Sequence, residues 1–393
     1  MMKQTYLRVE SGEIRAELHL NGDIEIVTHG RRDSQANYYE LISEQLDAPI
    51  SYPPVMHGIL EGDTIAIAIE DDVPDGTAVV MATAEYLCNH GVSPELISIV
   101  VGSGRSSQVA EIVNQFSLKH PEIRVVIHDP KQQDSHAYVA ASDSADPIYV
   151  QRELIDADVT IPIYCVRTAD CPNASDMFGI APNFTDVATQ NRWNLAWLED
   201  NETHLNQHSK LSLEVGWLAG IHFAIAVVPS VTGHVSQIFA GKPSDVFAAG
   251  SRDMSGSDRP QCDLVVAIVE GTDHQQNWLS VARAAAQAEQ LCGREGRIVV
   301  VCDVKKVSRG IRDLARSDLT NSTNQSLLKS NAEDAFPAAI IRAVQQNRSL
   351  YLFSSITASQ TEALGMAYVG SAETLQHLIE QASNVCVIRG AQY

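Results

Sequence analysis

Positive charge is scarce in this chain. Lysine and arginine total 28 against 49 aspartates and glutamates, a net charge of −21. Nucleic acid and anionic membrane both need a cationic surface, so neither is expected as a partner. No apolar run is long enough to cross a bilayer. The opening Met1-Met2-Lys3-Gln4-Thr5-Tyr6 leads into mixed polar sequence and not into a secretory leader. The seven cysteines (Cys88, Cys165, Cys171, Cys262, Cys292, Cys302 and Cys386) include no Cys-x-x-Cys pair, which argues against structural zinc. Most lie inside apolar runs, where cysteine acts as a small hydrophobe, and the pattern fits a reducing cytoplasm. His204, His208, His222 and His234 lack metalloprotease-type spacing and read as structural or exposed. There is no Walker loop and no full dinucleotide fingerprint.

What is present is strand, turn, helix, repeated. Thr64–Ile69 is an almost unbroken apolar run, as suits a parallel strand buried on both faces. Glu70–Gly76 is the turn, and Thr77–His90 carries apolar residues at helical spacing before stopping at Gly91. Leu96–Val101 is a second buried strand, ending in Gly102-Ser103-Gly104-Arg105-Ser106-Ser107. This is a βαβ unit, and its loops at the carboxyl ends of the strands are where open α/β sheets place their sites. The first loop holds Glu70, Asp71, Asp72 and Asp75, which suits helix capping or a hard cation. The second resembles an anion cradle, with a plain glycine-rich turn as the alternative.

Earlier, Asn21-Gly22 between Ile14–Leu20 and Asp23–Val27 predicts an N-terminal β-hairpin. Later, residues 251–260 are polar, small and closed by Pro260, the best linker in the chain. Beyond it Asp263–Val269, Asn277–Leu291 and Arg297–Cys302 open a second strand–helix–strand series. The expectation is α/β: two domains, 1–255 and 256–393, with mainly parallel sheets facing an interdomain cleft, the hairpin belonging to the first.

The order of these pieces resembles the nickel-dependent lactate racemase family. The likeness runs through Asp47-Ala-Pro-Ile50 with Glu61-Gly-Asp-Thr-Ile-Ala-Ile67, through Ile238-Phe-Ala-Gly-Lys-Pro-Ser-Asp-Val-Phe-Ala-Ala-Gly250, and through Cys262-Asp-Leu-Val-Val-Ala-Ile268 with Gly271 and Gln276–Ala284. It implies two α/β domains about a cleft and racemase chemistry on a hydroxy acid, using a lysine-anchored pincer that holds nickel, with histidines as ligands and as acid and base. The chain departs from the pattern where that chemistry is carried. Asp71-Asp72-Val73-Pro74 lacks the family's histidine and arginine. Gly102-Ser103-Gly104-Arg105 keeps only the arginine. Cys165–Gly179, opposite the lysine loop, contains no lysine. Tyr164 and Gln190 stand where histidines are expected, and Arg283 replaces a lysine.

The resemblance and the departures together lead to a divergent relative that binds a small anionic, carboxylate-type ligand in the cleft, with no cofactor expected. The nickel-pincer nucleotide would enter only if retained non-covalently. Gly102, Gly104, Arg105, Ser106, Arg167, Gly271 and Arg283 are the expected ligand contacts, since arginines converging on a cleft suit carboxylates. No metal ligands are expected, although Asp71 and Asp72 could hold a cation through water. Cys165 and Cys171 could be reactive or merely structural. The alternative is an active racemase or epimerase. For it His274, Asp273 and Asp72 are the acid/base candidates; capping and surface roles are the plain alternative.

Overall fold

The structure, a computed structural model, describes residues 5–20, 24–28, 37–102, 107–142, 145–168, 171–199, 211–252, 261–314, 328 and 333–393. Two six-stranded sheets dominate it. The first is built from β4 (Ile65–Ile69), β5 (Ile97–Val101), β6 (Arg124–Ile127), β9 (Val159–Cys165), β10 (Ala224–Pro229) and β11 (Val235–Gly241), in the order β11-β10-β9-β4-β5-β6. All its pairings are parallel except β10 with β11. Every side chain of β4 is buried, as its unbroken Ile-Ala run requires. A two-stranded ribbon, β7 (His136–Ala141) with β8 (Pro147–Gln151), attaches to this half.

The second sheet runs β15-β14-β13-β12-β16-β3, all parallel, from β3 (Ile24–Thr28), β12 (Cys262–Ile268), β13 (Cys292–Val301), β14 (Ser349–Phe353), β15 (Ala367–Tyr368) and β16 (Val385–Arg389). Helices cover the sheets: α1 (Tyr38–Asp47), α2 (Gly76–Asn89), α3 (Ser107–Lys119), α4 (Arg152–Asp156), α5 (Val187–Leu198), α6 (211–218) and α7 (Pro243–Arg252), then α8 (Trp278–Leu291), α9 (Arg309–Leu314), α10 (Ala335–Asn347), α11 (Ala358–Ala363) and α12 (Ala372–Glu380). The chain is thus α/β with two mainly parallel sheets, as its sequence pattern implies.

The N-terminal hairpin exists but is displaced by one strand. β1 (Thr5–Ser11) pairs with β2 (Ile14–Leu20) around Gly12-Glu13, and β3 leaves to extend the second sheet beside β16. The Asn21-Gly22 signal is therefore overruled by a distant partner. The hairpin also packs on the later half of the chain and not on the earlier one. Leu7, Val9, Ala16, Leu18 and Leu20 share a core with Leu264, Val266, Val299, Val385 and Val387. An alternating strand pair must bury its apolar face on something, and the second sheet offers an uncovered one. The expected linker, 251–260, begins inside α7, which holds Ser251 and Arg252, and residues 253–260 lie outside the described residues.

Each sheet reverses its winding once, between β4 and β9 in the first and between β12 and β16 in the second. In open α/β sheets such reversals open a crevice at the strands' carboxyl ends. Here the two crevices meet.

Candidate functional site

A cleft of about 740 Å³ lies between the carboxyl ends of the two sheets. Glu70, Asp71, Asp72, Gly102, Asn173, Asn183, Gln190 and Asn194 line it from the first half. The second half contributes Asp273, His274, Gln276 to Leu279, Arg283, Val304 to Arg309, Arg312, Glu333, Asp334, Phe336 and Pro337.

Its floor is a closed ionic network. Glu70, one residue past β4, accepts from Arg167 Nη1 at 2.8 Å, from Asn183 Nδ2 at 2.9 Å and from the Cys165 backbone N–H at 3.0 Å. Arg167 is 3% exposed and does not line the cleft. Asp72 is held at φ +67°, a left-handed conformation unusual for a side chain of its kind. Its carboxylate stands 3.5 Å from the Arg283 guanidinium. Asn277 caps α8 by accepting from Ser280 N–H with its Oδ1, while its Nδ2 donates to Asp72 Oδ1 at 3.2 Å. Arg283, 2% exposed, also donates to the Pro172 carbonyl at 3.1 Å. Burial pushes the Asp72 carboxyl above its usual range against the pull of Arg283, and the same burial pushes the Arg283 guanidinium down. A buried pair of this kind is held by its full set of hydrogen bonds, because loss of either charge strands the other.

The sequence-derived candidates divide accordingly. Gly102, Asp72, Asp273, His274 and Arg283 line the cleft. Gly102 approaches the Asp71 carboxyl so closely that a Cβ would stand 2.8 Å from its Cγ. Arg167 and Arg283 converge, but on Glu70 and Asp72. Gly271, at φ +113°, packs against Gly233 of the first half and not against the cleft. Gly104, Arg105 and Ser106 lie outside the described residues. His274 Nε2 is 3.2 Å from Glu111 of α3, bridging the two halves at the cleft. The Asp75 side chain makes no cap bond at the start of α2: it takes the Tyr38 hydroxyl at 2.5 Å, His234 Nδ1 at 2.9 Å and the Val235 N–H at 3.0 Å. Cys165 and Cys171 are buried, and burial pushes the Cys165 thiol up to about 12, the opposite of a reactive thiolate.

Sequence reading missed the opposite wall. Lys305, Lys306, Arg309 and Arg312 form a basic arc just past β13. Lys305 Nζ is taken by Glu13 of the hairpin turn at 2.7 Å, with Asp273 and Asp303 within 4 Å. Lys306, Arg309 and Arg312 are exposed on the cleft. Their position after a buried strand is the signal that would have found them. Among the described residues, no group of three or more His, Cys, Asp or Glu side chains is arranged to hold a metal ion. No helix among them is long and apolar enough to cross a membrane.

Residues 10–168 match the family described as the lactate racemase N-terminal domain. No curated protein sequence matches the chain. The lactate racemase apoprotein from Thermoanaerobacterium thermosaccharolyticum has the same fold, with a TM-score of 0.76 over 99% of both chains at 14% identity. A protein from Thermotoga maritima, determined by structural genomics, superposes with a TM-score of 0.68 over 90% of this chain and 97% of its own at 12% identity. With residues 10–168 matched in sequence and its whole length matched in fold, the chain carries a lactate racemase N-terminal domain match within a lactate racemase-like fold.

Proposed function

We propose that this protein binds a small anionic, carboxylate-bearing molecule in the cleft, and does so without a lysine-anchored nickel–pincer cofactor. The observation that supports the reading is the division of charge. Glu70 and Asp72 neutralise the buried arginines of the floor, while Lys306, Arg309 and Arg312 face the cleft from the other wall. On a chain of net charge −21 such a local cationic surface concentrates anions.

The residues present do not fit the family's nickel group. Soft nitrogen or sulfur donors suit nickel, yet His274 is the one imidazole among the described lining residues and none of them is a cysteine. Two lysines do line the cleft. Lys305 is engaged by Glu13, and Lys306 lies on the second-half arc, away from Cys165–Gly179 where the family's anchor is expected.

Metal analysis and native mass spectrometry of protein from its own host test the cofactor half of this reading. The expected mass is that of the bare chain, and stoichiometric nickel or a nucleotide-sized adduct overturns it. Thermal stabilisation by lactate and longer 2-hydroxy acids tests the ligand half, with no shift at millimolar concentration counting against it. A second reading, an active racemase or epimerase, draws on His274, Asp273 and Asp72 sharing one cleft. It requires conversion of one enantiomer or epimer of a 2-hydroxy acid into the other, by α-proton or hydride transfer, abolished by His274→Ala.

A further inference from the structure

Resting on the reading of the cleft as an anion-binding site, but putting a phosphate in place of that reading's carboxylate, we infer that its ligand carries a phosphate monoester, seated on Lys306, Arg309 and Arg312, with an uncharged, hydroxyl-rich end directed to the floor. Among the described residues no carboxylate comes within 4 Å of any of these three cations, whereas Lys305, Arg167 and Arg283 each have at least one. Arg309 and Arg312 are three apart on α9, so they share one face. The arc is fixed before any ligand arrives. The Trp278 indole N–H donates to the Lys306 carbonyl at 2.8 Å, and the Gly310 N–H donates to the Glu333 carbonyl at 2.9 Å. Gly310 lies so close to that segment that a Cβ would stand 2.3 Å from the Glu333 oxygen. A preformed set of donors loses little freedom on binding.

Three cations exceed what a single carboxylate uses. A phosphate monoester brings a charge of about −1.5 to −2 and three acceptor oxygens, which two arginine forks and an ammonium can satisfy together. The floor favours the reverse. With Glu70 and Asp72 already paired and Asp71 beside them, a second anionic group there meets carboxylates, while hydroxyls can bond to Asp71, Gln190 and Asn194.

Isothermal titration calorimetry with racemic glycerol 1-phosphate, glycerate and glycerol tests this. Glycerol 1-phosphate is expected to bind at least roughly tenfold tighter than glycerate, and the Arg309→Ala/Arg312→Ala double variant to weaken it by tenfold or more, since each charged hydrogen bond is worth about that factor. Both arginines are exposed, so the variant's thermal midpoint should be unchanged. Arg294→Ala, an exposed arginine at the amino end of β13, should leave binding intact. Glycerate binding as well as or better than the phosphate ester overturns the inference while the cleft-anion reading stands. So does phosphate binding indifferent to the double variant, or an equal loss in Arg294→Ala. If neither anion binds, both readings fall.

Discussion

Asp72 and Arg283 show what a single residue can and cannot announce. In sequence Asp72 reads as an acid/base candidate just past a strand, and Arg283 as a ligand contact on a helix. In the fold they spend much of their charge on each other, and Asn277, 205 positions from Asp72, donates to the same carboxylate. A charge is legible in a sequence, but its partner is not, because pairing is set by how two sheets meet. Arg283→Met should destabilise by about 3–5 kcal/mol in urea unfolding, since it leaves a buried carboxylate uncompensated on a strained turn. Adding Asp72→Asn should recover much of that loss. If the double variant is no better than the single one, the pair is not what holds Arg283 in place.

Among elements, the buried parallel strands were the most legible, because an unbroken run such as Thr64–Ile69 has few other uses. β4, β5, β9, β12 and β16 follow the apolar runs closely. The hairpin was legible as alternation but not as pairing. β2 takes β1 in place of β3, because a free edge beside β16 competes for Ile24–Thr28. Local turn chemistry carries no information about an edge formed hundreds of residues later. Leu18, fully buried against the second sheet, tests this packing. Leu18→Ala should cost about 2–5 kcal/mol, and hydrogen exchange should rise in β12 and β16 as well as in the hairpin. Faster exchange confined to residues 5–20 would contradict the shared core. The basic arc was missed for a different reason: its polar composition resembles any surface loop, and only its placement after β13 distinguishes it.

Across the whole molecule, proton linkage centres on Glu270, just past β12 and 2% exposed. Burial pushes its carboxyl up to about 7, although Arg389 donates to it from β16 at 2.9 Å. A folded-state value above the unfolded one of 4.5 means that the folded chain binds the proton more tightly. The contribution is fully present below about pH 4.5 and lost as pH rises through 7, by up to about 3 kcal/mol. Glu270→Gln, which mimics the protonated form, should flatten the fall in thermal midpoint between those limits. A variant whose profile parallels the parent's would exclude Glu270 as the source. His128 acts in the opposite sense. Burial lowers it to about 4 from 6.5, so its contribution is present above pH 6.5 and disappears as pH falls through 4.

Because β3 lies against β16, residues 24–28 and 385–389 are neighbours in one sheet. A ribosome making this chain releases the first of these strands long before the second. The second sheet therefore cannot close until synthesis has passed residue 389, and until then the opening segment must wait without its partner. An unpaired strand edge over that interval is open to mispairing. Joining the two regions by a short tether and opening the chain elsewhere would shorten that wait, and should speed refolding more than it changes stability.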